Sequence, residues 1–536
     1  MFAAEYPSSI VPASETKGEF HFQCVWSDSL TDVSPTTSVL STLACGLLTL
    51  FLSTVLWRRY YESCRDSSSN LPLPRGSFGY PLVGETIHFI VEGMTQFVKN
   101  RRRKEGINKT HLLGSPMVTV DSDQRIQQLV SKEPHALVSS LPTSTRVIFG
   151  ENGISVVTGK EHASMKKSMK QAFTPVRLSD YLPIVQKCIR RHIVSWIEEN
   201  TGNKLLGFKV CEKLVCDLIL ETVVGCGRDQ DPDGKVRDAF VVCNENLFCV
   251  PLAIPGTAFY KVKQARQVVV DFVKKHLATA DSSSKDFVTI LDVLLAHQRK
   301  PEGTSLANGK DEGQDDVLDR SDQLSDIQLI DNAVSLMIAG LDTVTSSFCS
   351  ILSLLGKHPD KLAALRQELE SQDLLNNDLD DDLTYELIQS LPYVQAINKE
   401  VLRFFPPVGG LLRVSKKTLE FEDFQIPANW RVQYSVRGVH EVTKAFDDKQ
   451  EFLPERWLDP KLEERLRTEF PCGYAPFGIG SRACLGKDLA LLEMSVFVIE
   501  VARLTDWSLL NPNAKQVFLP IEKPFDNLPM TVSKRK

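Results

Sequence analysis

The chain has 536 residues, 42% of them hydrophobic, which is ample material for a large core. A formal net charge of -6 gives no support for a nucleic-acid partner. Twelve cysteines, none in a Cys-x-x-Cys pair, argue against a zinc ribbon or a disulfide scaffold and fit a reducing compartment.

In chain order, residues 1–38 are acidic and polar, with Glu5, Glu15, Glu19, Asp28 and Asp32 against Lys17, and read as a flexible leader. From Val39 to Trp57 the chain carries no charge. Its length matches the ~17–25 residues a helix needs to span a bilayer, so 39–57 is read as a membrane anchor. A cleaved signal would begin with a basic region, whereas here Arg58 and Arg59 follow the apolar run. The positive-inside rule then puts the leader in the lumen and the bulk of the chain in the cytosol. A buried core helix is the competing reading.

Residues 58–79 read as a linker, with Leu71-Pro72-Leu73-Pro74-Arg75-Gly76 as its stiff hinge. A helix with a basic end is expected from Gly84 to Lys104, and a strand over Pro116–Val120. From about Asp180 to Leu369 the period is almost all helical. Within 159–173, His162 and Lys166 lie four apart and share a helix face. A solvated basic face is the alternative for Lys167 and Lys170. Residues 301–322 are acidic, lack apolar periodicity and read as a mobile loop.

A long apolar helix is expected from Leu329 to Leu355, interrupted at Ala339-Gly340-Leu341-Asp342-Thr343. Glycine at mid-helix costs on the order of 1 kcal/mol against alanine, and a threonine there can bond back to a carbonyl and open a groove. Room for dioxygen beside a proton-delivering Asp and Thr is a chemical reason for that weakness; a tolerated glycine is the plain one. Glu400 and Arg403, three apart, can meet on one helix face, which on general grounds is a surface pair of little worth.

The most specific stretch is 476–486, Pro-Phe-Gly-Ile-Gly-Ser-Arg-Ala-Cys-Leu-Gly. Cys484 stands at the start of the helical run Lys487–Leu504, where the dipole and free N–H groups favour a thiolate. Gly478, Gly480 and Gly486 let the backbone bend toward the sulfur and a flat cofactor approach. Phe477 is placed to shield the sulfur, and Arg482 to pair with an anionic group. A buried structural cysteine in a glycine-rich turn is the alternative.

The full spacing F-x-x-G-x-R-x-C-x-G resembles the haem-thiolate monooxygenases of the cytochrome P450 family, from about Leu71 onward. The resemblance implies a mainly α (α+β) fold, one large helical domain with small β-sheets over residues 80–536, behind one transmembrane helix. It makes Cys484 the axial ligand of haem b and implies further haem contacts from Arg413, and from His162 and Lys166 where most of the family has Trp and Arg at a haem propionate. It assigns Asp342 and Thr343 to the oxygen side, in an A-G-x-D/E-T motif with Val344 where Thr or Ser is commoner. Glu400 and Arg403, with Arg456 of Pro454-Glu455-Arg456-Trp457, are implied as a structural group behind the haem. Electrons would come from NADPH only indirectly, through a flavoprotein reductase, with Lys166, Lys167, Lys170 and Lys487 as a candidate docking face. The partners implied are that reductase, O2, a hydrophobic small molecule and an endoplasmic reticulum membrane.

The segment from Pro406 to Tyr434, Gln264-Ala265-Arg266-Gln267 and the closing Pro524 to Pro529 resemble the animal retinoic-acid hydroxylases, and plant terpenoid-hormone hydroxylases look similar there. The resemblance places Arg146, Phe149, Phe248, Pro251, Leu252, Ala339, Gly340, Val408, Gly409, the rest of Val408–Leu412, and Phe525 around a substrate pocket. Arg146 would meet either a substrate carboxylate, or a propionate or acidic neighbour. Two rivals, a non-oxidative haem-thiolate isomerase or synthase and a haem-binding sensor, do not need Asp342 and Thr343.

Overall fold

The computed structural model describes residues 35–102, 106–200, 202–279, 289–299, 323–375, 382–421, 423–518 and 521–535. The leader up to residue 34 and the whole of the expected loop 301–322 lie outside these. The chain divides into two compact units, Met1–Leu56 and Trp57–Lys536.

The first helix spans Pro35–Ser63, so it continues through Arg58 and Arg59 where a linker is expected. Its stretch Val39–Ser63 is long and apolar enough to cross a membrane. Leu43, Leu47 and Phe51 are exposed large apolar side chains.

In the second unit the main sheet has five strands in the order Ile107–Leu112, Ser115–Val120, Arg431–Ser435, Gly410–Ser415, Leu137–Ser139. Ser115–Val120 and Arg431–Ser435 pair parallel, Met117 opposite Arg431, and the other neighbours are antiparallel. Leu205–Leu206, Pro529–Lys534 and Thr505–Leu509 form a three-stranded sheet, and two two-stranded sheets complete the β content of the described residues. The helix expected over 84–104 runs Thr86–Arg101 and is kinked at Gly93, whose φ of 73° is closed to most side chains.

Helices make up the rest of the core. Asp326–Lys357 opens on a capping box, Ser325 with Gln328, and stops before Pro359, which disfavours helical geometry at His358. It is apolar on nearly every side because it is buried on nearly every side, from Leu329 through Met337 to Leu355. The interruption expected at 339–343 is absent: the helix is continuous. The Phe348 ring stacks at 4.0 Å on Phe497 of Lys487–Leu504, which ties the long helix to the one that follows Cys484. Such a pair contributes ~0.5–1.5 kcal/mol beyond its burial.

Candidate active site

The cysteine loop is shaped by its glycines. Gly478 and Gly480 have φ of 77° and 72°, and a Cβ on Gly480 would sit 2.8 Å from Val130 Cγ1. Only glycine fits both demands. The loop closes where the Cys484 N–H donates to the Phe477 carbonyl at 2.8 Å, and Cys484 faces a cavity of about 310 Å³. Burial pushes the thiol up, opposed by the Gly486 N–H and the Lys166 ammonium.

A buried polar framework holds the loop from behind. Glu400, fully buried, accepts from Arg403 Nε and Nη2 at 2.8 Å each, Arg456 Nε at 3.2 Å, Trp457 Nε1 at 2.8 Å and the Leu453 N–H at 2.9 Å. This is a desolvated, saturated ion-pair group, unlike the weak surface pair its i, i+3 spacing alone suggests. His440 extends it to the loop: its Nε2 accepts from the Ala475 N–H at 3.0 Å and its Nδ1 faces the Arg403 carbonyl at 3.1 Å. Those partners require the proton on Nδ1. Burial holds His440 neutral, its pKa down to about 3. His440 carries no sequence signal, since its partners stand 35 and 37 residues away.

Opposite the cysteine, the long helix lines the cavity with Ala339, Gly340, Thr343, Val344 and Ser347. Gly340 lets Gly207–Val224 approach, as a Cβ there would meet Ile219 Cδ1 at 2.8 Å. Thr343 Oγ1 donates to the Ala339 carbonyl at 2.8 Å, so its hydroxyl is tied to the helix at the cavity wall. Asp342 is absent from that lining: its carboxyl accepts from Asn244, with Glu212, Glu245 and Lys523 nearby. Burial first, then Glu212, raises its pKa to about 6. Thr343 thus stands at the cavity and Asp342 behind it.

Phe477, Gly478, Arg482 and Gly486 line the same space, as do Val408 and Leu411. Several residues expected there lie elsewhere. Arg146 meets an acidic neighbour, one of its two expected partners: its side chain is 48% exposed, pairs with Glu151 at 2.5 Å and is absent from the lining. Phe248, Pro251, Leu252 and Phe525 are exposed and absent from the lining, with Phe525 at 74%. Phe149 packs into the helical core, and Gly409 is buried with its carbonyl accepting from the Arg437 N–H; neither lines the cavity. Position along the chain does not say which way such loops turn.

The cations expected at a cofactor converge beside the loop, and here Lys166 also reaches its backbone. Its Nζ donates to the Ser481 and Ala483 carbonyls at 2.7 and 3.1 Å. Arg482 donates to the Ile154 carbonyl at 2.9 Å and to that of Val157. Its pKa falls to about 10 through burial and the nearby Arg413. His162 is buried and held near a pKa of about 4, by desolvation and then by Arg482 and Lys166. Arg413 donates to Glu133 Oε1 at 2.6 Å, while its buried Nη2 has no hydrogen-bond partner. Two arginines beside one buried carboxylate, with an Arg413 donor left over, fit a flat cofactor with an anionic edge and a metal over the sulfur.

That geometry fits a haem-binding enzyme, and the cytochrome P450 family profile matches residues 74–522. The chain belongs to the cytochrome P450 family and is a monooxygenase of that family. Relatives include cytochrome P450 26A1 of Gallus gallus, 33% identical over 502 residues that cover 92% of this chain and 96% of the relative. Cytochrome P450 26B1 of Homo sapiens is 30% identical over 502 residues, covering 92% and 93%. Among solved structures, cyanobacterial CYP120A1 with retinoic acid bound matches at a TM-score of 0.74 and 28% identity, over 87% of this chain and 100% of that one. The cytochrome P450DA heme domain, 18% identical at a TM-score of 0.73, shares the fold.

Proposed function

We propose that the chain hydroxylates a retinoid carboxylic acid, all-trans-retinoic acid, on its ring, using O2 and electrons that an NADPH-dependent flavoprotein reductase supplies. The observation that carries the reading is the apolar cavity closed by Cys484 on one side and Thr343 on the other. An apolar wall suits a polyene, and the sequence likeness to retinoic-acid hydroxylases together with the retinoic-acid-bound CYP120A1 supports the class.

When bound, haem b supplies the activation of dioxygen. The protein's share is separate. Cys484 would hold the iron, and Arg413, Arg482 and His162 would hold the cofactor's edge. Thr343 would hold the proton at the cavity wall, with Asp342, whose raised pKa suits an acid working near neutral pH, as the acid behind it. Phe477, Leu411 and Val408 exclude water. The Pro35–Ser63 helix would anchor the enzyme once in the endoplasmic reticulum, its catalytic unit in the cytosol.

The test is a spectral titration of haem-loaded protein with all-trans-retinoic acid, sterols, terpenoids and fatty acids, followed by turnover with reductase. A shift with the retinoid and NADPH-dependent loss of it to a ring-hydroxylated product are expected. A shift with sterols or terpenoids alone would move the substrate to that class, and turnover without O2 would point to an isomerase.

A further inference from the structure

The stretch Gln264-Ala265-Arg266-Gln267 lies on the helix Ala258–Thr279, and none of its residues lines the cavity. Arg266 is engaged elsewhere: its Nη2 donates to Asp331 Oδ1 at 2.5 Å and its Nε to the Ile148 carbonyl at 3.0 Å. Asp331, on the helix Asp326–Lys357, is buried, and its second oxygen accepts from the Asn152 N–H at 3.1 Å and from Asn152 Nδ2 at 3.0 Å. One guanidinium and one carboxylate thus hold the segment 148–152 at both ends. Gly150 completes the fit, for its φ is 92° and a Cβ there would collide with the Asp331 carboxyl group. Between these ties the Phe149 carbonyl accepts from Ser335 Oγ at 3.0 Å, and just beyond them the Ile154 N–H donates to Asn332 Oδ1 at 2.7 Å.

Asn332 and Ser335 stand one turn before Leu336 and Ala339 on the same faces of the long helix, and it is at Leu336 that this helix begins to line the cavity. The segment therefore covers the helix surface where the cavity stops. Asp331 is twelve residues before Thr343, ~18 Å along the helix axis, so the ion pair stands clear of the reacting end. We propose that Arg266 and Asp331 are positioning residues that fix the segment 148–153 as the end wall of the substrate cavity and so limit the length of substrate it accepts. This rests on the substrate lying in the cavity between Cys484 and Thr343. A buried ion pair resists loss of either member, because the other is then left as an uncompensated charge. That makes the wall stiff where a loop would ordinarily yield.

The test uses the haem-loaded full chain and a series of 1-alkylimidazoles with straight chains of increasing length. Their ring nitrogen binds iron and shifts the haem spectrum whatever the natural substrate, so the series reads the depth of the cavity. The native protein should bind each longer member more tightly up to a limiting length and lose affinity beyond it. Arg266→Met should move that limit to a longer chain and leave the short members unchanged. It should also quicken amide exchange over 148–153 about tenfold, as loss of a charge-assisted bond implies. Asp331→Asn should do the same, and the two together no more than either alone, since each acts through the other. The double variant also serves should a lone buried charge keep a single one from folding. An equal loss of affinity for short and long members would mean general loosening and overturn the proposal. An unmoved limit would remove the segment as end wall, and unmoved exchange would remove the pair as what holds it. If all-trans-retinoic acid failed to bind the native protein while the limit still moved in the variants, the retinoid reading would fall and the end wall would stand.

Discussion

Thr343 and Asp342 are neighbours with different surroundings, and that difference fixes what each can do. The Thr343 hydroxyl sits at the cavity wall bonded to Ala339, so its removal leaves the apolar lining intact. Thr343→Ala should bind substrate unchanged but lose coupling, releasing peroxide per NADPH consumed; unchanged product yield would exclude the hydroxyl from proton delivery. Asp342 titrates at about 6 in the fold against 3.8 as the ordinary value. Between those values the native state keeps a proton that the unfolded chain has lost, so stability falls as pH rises through the window and stays lower above it. Asp342→Asn should therefore stabilise at pH 7, by on the order of 2–3 kcal/mol, and not at pH 3.5, as thermal unfolding would read. An equal gain at both pH values would mean packing, not charge, is responsible. At this scale Cys484 and Glu400 were legible because fixed spacings carry them, whereas the turn that sends Arg146 to Glu151 and Phe525 to solvent has no spacing to announce it.

Helices were easier to read than their ends or their faces. Asp326–Lys357 emerges from its apolar run, but its continuity through Gly340 depends on Ile219 filling the space a Cβ would take, a tertiary fact. Neither does the pattern of Gly159–Lys170 distinguish its basic side chains. Lys170 is exposed, as is Lys487 at the start of the helix after the cysteine, while Lys166 is half-buried and bound to the loop. Of the proposed docking lysines, Lys170 and Lys487 are thus the exposed pair, with Lys167 partly buried. Charge reversal at Lys170 or Lys487 should slow reduction by the flavoprotein and flatten its salt dependence, because exposed charges act mainly on encounter. Stopped-flow reduction rates insensitive to both changes would locate docking elsewhere.

At the scale of the whole molecule, the chain divides into two compact units at Leu56. Beyond it, buried apolar clusters hold the second unit together. Within the first unit Val39, Leu43, Leu47 and Phe51 are between 59% and 68% exposed, surface that water would penalise by ~25 cal/mol per Å² and that a bilayer would accept. A chain starting at Trp57 should then keep its fold, its haem spectrum and its unfolding temperature. The full chain should resist extraction of microsomes by alkaline carbonate, and the shortened one should be released. Release of the full chain would refute a spanning anchor. Retention of the shortened chain would instead assign membrane affinity to apolar side chains of the catalytic unit that lie in solvent, such as Leu82 at 79% and Val91 at 74% exposure.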